Sequence, residues 1–214
     1  MKFPDVRTLL GAAVAALALS GAAQAQSYSF SCLTNNSAAN CATGADQFSL
    51  TVSQSVSGWT DFLFQNTGTS ASSLTDIYFD WTGSTRYTTS NVQIRNGSGV
   101  SFSWGASPAN LPGSQGLNPV FTANLAADSN APTQPNGVNP GEQVTFRFLT
   151  GYAGAASDLY AGNLRVGVHA QGFANGGSES LVSLAAPVPE PGNIAMMLAG
   201  LAFVGVVVRR RRQA

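Results

Sequence analysis

The middle of the chain alternates apolar and polar residues with a period of two, which is typical of β-strands that bury one face. In residues 47–56 (QFSLTVSQSV), Phe48, Leu50 and Val52 fall on one face, with serine and threonine opposite. Related patterns recur in residues 60–66, 74–81, 143–150, 163–173 and 179–184. No amphipathic helical pattern of useful length interrupts them, so the sequence predicts a domain built from short strands.

Turn residues separate these strands and predict how they connect. Residues 91–104 (NVQIRNGSGVSFSW) predict a β-hairpin around Asn96-Gly97, because both turn residues tolerate positive φ. Residues 120–126 predict a further short strand between two Pro- and Gly-rich loops, 107–119 and 128–142. About eight or nine short strands favour an all-β fold, an antiparallel two-sheet sandwich for which a jelly roll is one arrangement. This domain is predicted to span residues 26–186.

The N-terminus has the three parts of a secretory signal peptide. Lys2 and Arg7 precede an apolar stretch, and Ala23-Gln24-Ala25 supplies small residues for cleavage. The apolar stretch is only about half of the roughly 20 residues that a membrane span needs. We therefore predict export, removal of residues 1–25 and a mature chain that begins at residue 26.

Export changes the expected state of the two cysteines, Cys32 and Cys41. Exported proteins meet an oxidising environment, so a disulfide between them is the natural pairing. Two thiols and one distant histidine do not complete the usual set of four zinc ligands. The sequence therefore predicts a disulfide and no bound metal or cofactor.

The composition is unusually poor in charge, at 9% against roughly 25% in typical soluble domains. Residues 26–186 hold four arginines and no lysine against eight acidic residues. Uncharged polar side chains and glycine replace the missing charges. A mildly acidic domain argues against nucleic acid as a partner.

Candidate catalytic residues are few. The single histidine, His169, falls on the strand face opposite Leu164, Val166 and Val168, and no G-x-S-x-G motif marks a nucleophile. Asp76 and Asp80 share a strand face about 13 Å apart, which is wide for a paired-carboxylate mechanism or a calcium site, so we expect both to face solvent. The sequence predicts that the protein is not an enzyme, with a secreted glycan hydrolase as the least favoured alternative.

Aromatic residues leave a second alternative open. Trp81, Tyr87 and Trp104 could stack on sugar rings in a carbohydrate-binding module, although such residues more often fill the core or edges of a β-domain.

The C-terminus contains a rigid spacer, an apolar run and a basic tail. Residues 187–193 are rich in proline, and residues 194–208 are apolar. A helix over 194–208 would span about 22 Å against a hydrocarbon core of about 30 Å, so arginine snorkelling or local thinning would have to make up the difference. Arg209, Arg210, Arg211 and Arg212 favour a cytoplasmic location for residues 209–214. We predict a single transmembrane helix with the preceding domain outside.

These three parts together resemble the PEP-CTERM sorting signal of exported proteins from Gram-negative bacteria. The matching motif residues are Val188, Pro189, Glu190, Pro191 and Gly192, followed by the apolar run and the arginine cluster. Members of this family usually have threonine or serine where this chain has Asn193. The resemblance implies that an exosortase, a membrane protease or transpeptidase, is the partner that processes the chain.

The resemblance further implies a protein of the cell surface or extracellular matrix, in bacteria that often make exopolysaccharide. The inner membrane would hold the chain only transiently. The expected function is therefore that of a non-enzymatic exported protein associated with exopolysaccharide.

Overall fold

A computed structural model of the chain describes residues 25–54, 58–82, 88–149, 158–159, 162–184 and 200. Within these residues, ten strands form one antiparallel sheet with the order β5-β8-β3-β2-β1-β10-β9-β4-β7-β6. The strands are β1 (Gln26–Cys32), β2 (Phe48–Gln54), β3 (Trp59–Asn66), β4 (Ser73–Trp81), β5 (Val92–Asn96), β6 (Phe102–Trp104), β7 (Leu125–Ser129), β8 (Gln143–Leu149), β9 (Leu164–Gln171) and β10 (Ser178–Ser183). Helices α1 (Ala38–Gln47) and α2 (Thr133–Asn136) and a 3₁₀ turn (Ser114–Gly116) lie between strands.

Strand β1 joins the two halves of the sheet. Its residues 26–29 pair with β2, and its residues 30–32 pair with β10. We call the strands β5, β8, β3 and β2 the β2 half, and the strands β10, β9, β4, β7 and β6 the β4 half. Because one strand belongs to both ladders, the ten strands form a single hydrogen-bonded sheet.

The two halves face each other across an apolar core. Phe79 of β4 contacts the rings of Phe62 and Phe64 of β3, with centroids 5.5 and 6.1 Å apart. It also contacts Phe146 and Phe148 of β8 at 5.5 and 5.2 Å. Edge-to-face and tilted aromatic pairs of this kind add to the free energy gained by burial. Phe79 therefore packs one half of the sheet against the other.

The outermost strands, β5 and β6, approach each other without forming a backbone ladder. The side chain of Asn96 accepts a hydrogen bond from the backbone N–H of Phe102 at 2.9 Å and donates one to its carbonyl at 3.3 Å. The predicted hairpin at Asn96-Gly97 is therefore wrong, since β5 pairs with β8 and β6 pairs with β7. The Asn96 side chain thus bridges β5 and β6 in place of backbone pairing, and the sheet is nearly closed between these two strands.

The antiparallel order gives the sheet two distinct ends. Every odd-numbered strand begins, and every even-numbered strand ends, at the end where β1 starts. We call this the terminal end, because the described domain both begins there with β1 and finishes there with β10. The opposite end is the disulfide end, since Cys32 and Cys41 lie in the connection between β1 and β2.

Helix α1 occupies that β1–β2 connection, although the sequence shows no amphipathic helical pattern there. The Ser37 side chain caps the helix by accepting a hydrogen bond from the backbone N–H of Asn40. The buried side of the helix includes Cys41 and Gly44 but no large aliphatic residue. A helix with so little apolar surface leaves no periodic pattern in the sequence.

The predicted all-β antiparallel class is confirmed. The apolar faces predicted for four strands are buried, namely Phe48, Leu50 and Val52; Phe62 and Phe64; Val144, Phe146 and Phe148; and Leu164, Val166 and Val168. The strand predicted at 120–126 begins later, at Leu125. The two-sheet sandwich and its jelly-roll arrangement stay unconfirmed, because the hydrogen bonding gives one nearly closed sheet.

Several predicted segments lie outside the described residues. They are the signal peptide up to residue 24, the sorting motif 187–193, nearly all of the apolar run 194–208, and the tail 209–214. No helix in the described part of the chain is both long enough and apolar enough to cross a bilayer. Strand β1 begins at Gln26, the residue predicted to start the mature chain.

Replacing Phe79 with alanine should lower the free energy of unfolding by about 3–5 kcal/mol, because it opens a cavity between the two halves. Urea denaturation followed by circular dichroism measures this loss. Leu149→Ala is the control, since Leu149 is 45% exposed, and it should change stability by less than about 1 kcal/mol. Equal losses in the two variants would show that Phe79 has no special place in the core.

Candidate functional site

The described part of the β-domain extends to within a few residues of the predicted sorting segment. The backbone N–H of Leu184 donates a hydrogen bond to the carbonyl of Ser29 at 2.9 Å, one residue after β10. The sorting residues Val188, Pro189, Glu190, Pro191 and Gly192, and the arginines Arg209, Arg210, Arg211 and Arg212, lie outside the described residues. The structure therefore describes the chain up to Leu184, which is hydrogen-bonded to β1, and the sorting segment follows three residues later.

A buried carboxylate at the disulfide end anchors the start of the same strand, β10. Glu179 is fully buried and accepts hydrogen bonds from the hydroxyl of Thr34 at 2.6 Å and from the backbone N–H groups of Asn36 and Ser37 at 3.0 and 2.6 Å. These donors directly precede α1, where the partial positive charge of a helix N-terminus favours an anion. Glu179 therefore ties β10 to the β1–β2 connection.

The predicted disulfide is confirmed, with Cys32 bonded to Cys41 and their Cα atoms 5.4 Å apart. Glu179 lies close to both sulfur atoms. The sulfur atoms are bonded to each other, so they do not offer thiolates to a metal ion. The chemistry of this cluster is therefore that of a structural crosslink beside a hydrogen-bonded carboxylate.

The main group of titratable side chains in the described domain lies on the outer face of the β4 half. Register partners on neighbouring strands place polar residues side by side across five strands. We call this set the polar row, and in strand order it consists of Ser180, His169, Asp76, Asp128 and Ser103. Nδ1 of His169 lies 3.1 Å from the hydroxyl oxygen of Ser180, and Asp76 stands directly opposite both His169 and Asp128.

Burial shifts the titration of the polar row. It raises the pKa of Asp76 to about 6, and the charge of Asp128 adds to the shift, while the hydroxyl of Thr75 donates a hydrogen bond that opposes it. Burial also raises the pKa of Asp128. It lowers the pKa of His169, against the effect of the nearby Glu179 carboxylate. Each shift disfavours the charged form, as expected where side chains lose contact with water.

The order serine, histidine, aspartate resembles the components of a nucleophilic site, but the exposure of these side chains does not suit one. Ser180 is fully buried, and its backbone N–H donates a hydrogen bond to the hydroxyl of Thr34. Asp76 is only 3% exposed. A nucleophile must reach its substrate, so Ser180, the serine beside His169, cannot attack an external substrate in this conformation. Ser103 is exposed, but two strands separate it from His169.

The expectation that Asp76 and Asp80 face solvent is wrong, because both are buried. The β6–β7 connection covers part of the outer face of the β4 half and packs Leu111 and Phe121 near Tyr78. Asp80 forms an ion pair with Arg165, the residue opposite it on β9. A strand face that alternation assigns to solvent is thus closed by a long connection.

Arg165 and Gly167 hold this connection on the sheet. The guanidinium of Arg165 donates hydrogen bonds to the carbonyls of Pro119 and Val120 at 2.6 and 2.7 Å. A Cβ atom at Gly167 would lie only 2.6 Å from Cδ2 of Leu111, so the position requires glycine for the connection to pack this closely.

The structure does not bring the candidate sugar-stacking residues together as a platform. Trp81 is 5% exposed and packs against Phe79 and Phe148, so its faces are not available to a sugar ring. Trp104 is half-buried and packs edge-on against Phe146. Tyr87 lies outside the described residues.

Sequence reasoning missed Glu179, Asp128 and Ser180 as members of polar clusters. Each is an ordinary polar residue in its own strand, and its role appears only when the strands are placed side by side. The N-cap motif at Ser37 was the one local pattern that could have indicated structure near Glu179.

Glu179→Gln should destabilise the domain by about 2–4 kcal/mol. The carboxylate now accepts hydrogen bonds from donors on both oxygens, and in the variant an amide NH₂ group would face some of those donors. Thermal and urea unfolding measure the loss. Glu142→Gln is a matched control, since Glu142 is half-buried in a turn and bonded only to Asn139. A loss no larger than that of the control would contradict the anchoring role of Glu179.

The raised pKa of Asp76 predicts that acidification stabilises the fold. Between pH 7.5 and 4.5 the folded state takes up a proton at about pH 6 that the unfolded chain does not bind until lower pH. Stability should therefore rise by about 2 kcal/mol from this group as the pH falls. The lowered pKa of His169 acts in the opposite direction, so the contribution of Asp76 must be isolated with a variant.

Asp76→Asn isolates this contribution, because the wild type should gain about 2 kcal/mol over the variant between pH 7.5 and 4.5 in urea titrations. Asp80→Asn is the control on the same strand face, and it should lower stability at neutral pH because it leaves Arg165 without its partner. Parallel pH profiles for the wild type and Asp76→Asn would contradict the prediction.

Comparison with known proteins identifies the C-terminal segment. Residues 187–212 match the family model of the PEP-CTERM protein-sorting motif. No curated protein and no solved structure matches the chain significantly. The motif implies processing by exosortase, a membrane enzyme, and a membrane-anchored intermediate that precedes the cell surface. The chain is therefore a protein with a C-terminal PEP-CTERM sorting signal, joined closely to an antiparallel β-domain.

Proposed function

We propose that the protein is a non-enzymatic component of the cell surface, exported and sorted through its two terminal segments. Residues 1–25 direct export, and residues 26–186 fold outside the inner membrane as a two-layer β-sandwich. Residues 194–208 hold the chain in the membrane, with Arg209, Arg210, Arg211 and Arg212 on the cytoplasmic side. Exosortase then acts at the motif formed by residues 188–192.

The observation that carries this proposal is the match to the sorting motif at residues 187–212, three residues after Leu184, which is hydrogen-bonded to Ser29 of β1. The motif therefore begins only a few residues from folded structure. Such a position suits a processing signal, because proline-rich sequences favour an extended backbone.

Two observations support a role without catalysis. Ser180, the serine of the polar row that lies beside His169, is fully buried and does not reach an external substrate. The low charge, 9% of residues, and the many uncharged polar side chains suit a domain surrounded by hydrated polysaccharide. We therefore propose association with exopolysaccharide as the setting of the mature protein. The burial of Trp81 gives no support to a sugar-binding platform, so a carbohydrate-binding module is not proposed.

Glu190→Ala should block processing. The chain should accumulate in the membrane fraction at the mass of the unprocessed form, because the substitution removes the only carboxylate of the motif. Mass spectrometry of the purified protein and fractionation of cells that contain exosortase measure both effects.

Asn193→Ser is the matched control, since serine is common at this position in the family, and this variant should be processed like the wild type. Processing and release of Glu190→Ala at the wild-type level would show that this motif is not the recognition element.

A further inference from the structure

The strand directions place both membrane-directed segments at one end of the domain. Strand β1 begins at Gln26, directly after the predicted signal peptide, and β10 finishes at Ser183, shortly before the sorting segment. Both points lie at the terminal end, because β1 and β10 are antiparallel neighbours. The chain therefore approaches and leaves the membrane from the same side of the domain.

The exposed apolar side chains gather at this end. The large hydrophobic residues that are exposed in the described part of the chain are Val120, Leu149 and Leu184, at 44%, 45% and 46%. Leu149 is the last residue of β8, and Leu184 follows β10. The Val120 carbonyl accepts a hydrogen bond from Arg165, the second residue of β9, which begins at the terminal end.

Unpaired negative charge is concentrated at the opposite end of the domain from these exposed apolar side chains. Near the terminal end, Arg147 pairs with Asp61, and Arg165 pairs with Asp80, so these charges cancel. Toward the disulfide end, five carboxylates without an arginine partner in the described structure lie in α1, the first half of β4, the end of β7, the β7–β8 connection and the start of β10, and they are Asp46, Asp76, Asp128, Glu142 and Glu179. One arginine, Arg95 of β5, lies near the same end, and another carboxylate, Asp158, lies in the β8–β9 connection near the terminal end, so the described charge is more negative at the disulfide end. An anionic membrane surface would repel the disulfide end more strongly than the terminal end.

The connecting chain is short. From Leu184 to residue 194, where the apolar run begins, ten residue steps extend at most about 33–36 Å. The prolines of residues 187–191 favour an extended segment with little freedom to coil back. The domain is therefore restricted to the immediate neighbourhood of the bilayer while residues 194–208 are inserted.

We infer that the terminal end is a membrane-facing surface, which contacts the lipid bilayer through Val120, Leu149 and Leu184 while the chain awaits processing. This inference rests on the proposed membrane-anchored stage and adds the orientation of the domain within it. Apolar side chains at the bilayer surface lose contact with water, and the acidic disulfide end points away from the lipid headgroups. The domain thereby presents the start of its sorting segment toward the membrane.

Photo-crosslinking of the full chain in vesicles of phosphatidylethanolamine and phosphatidylglycerol tests the inference. The variants Leu149→p-benzoylphenylalanine and Leu184→p-benzoylphenylalanine place a crosslinker at the terminal end. Ala42→p-benzoylphenylalanine and Ser98→p-benzoylphenylalanine are matched controls at exposed positions of the disulfide end. Flotation first measures whether each chain is bound to vesicles, and mass spectrometry then identifies adducts of protein with lipid.

Lipid adducts at positions 149 and 184, and none at 42 and 98, are the expected result. Adducts at all four positions, or at none in chains that float, would overturn the orientation while leaving the anchor intact. Adducts at the terminal end with protein alone would show that another chain, and not lipid, covers this surface. Chains that do not float would contradict the anchored stage itself, and the inference would fall with it.

Discussion

The packing of Phe79 against strands of the opposite half is the contact on which this fold depends. The sheet is a single hydrogen-bonded ribbon, and its backbone pairing alone does not bring β4 against β3 and β8. Phe79 contacts four phenylalanine rings of those strands and fixes the distance between the halves. Once the halves are closed, β5 and β6 lie near enough for Asn96 to bridge them.

The same closure determines what the outer faces can do. The β6–β7 connection crosses the outer face of the β4 half, where it packs on Tyr78 and donates a backbone hydrogen bond to Asp80, and both Asp76 and Asp80 are buried. Buried carboxylates must find partners or shift their pKa. Asp80 is paired with Arg165, whereas burial, together with the charge of Asp128 opposite it, raises the pKa of Asp76 to about 6.

The sequence was sufficient to predict the features that depend on neighbouring residues. Alternation correctly identified the buried faces of β2, β3, β8 and β9, because each strand buries one side. The sorting motif was also visible, since a linear signal at a chain terminus does not depend on the fold. The disulfide followed from the expected oxidising compartment and the presence of only two cysteines.

Features that depend on distant residues could not be predicted. The Asn96-Gly97 segment has local hairpin chemistry, but β8 and β7 compete successfully for its two strands. Helix α1 depends on a cap and a disulfide in place of an apolar stripe, so periodicity does not detect it. The burial of Asp80 depends on a connection that follows it by tens of residues, since Thr122 donates a hydrogen bond to it, and alternation carries no information about such a cover.

The pairing of β1 with β10 has a consequence for the order of events during export. The first and last strands of the domain are neighbours, so the sheet cannot be completed until nearly the whole domain has crossed the membrane. Contacts between such distant parts of a chain form slowly. Strand β10 ends only a few residues before the sorting motif, and the apolar run therefore reaches the bilayer just as closure becomes possible. In the proposed membrane-anchored stage, a pause in the bilayer would give the domain time to fold before the motif is processed.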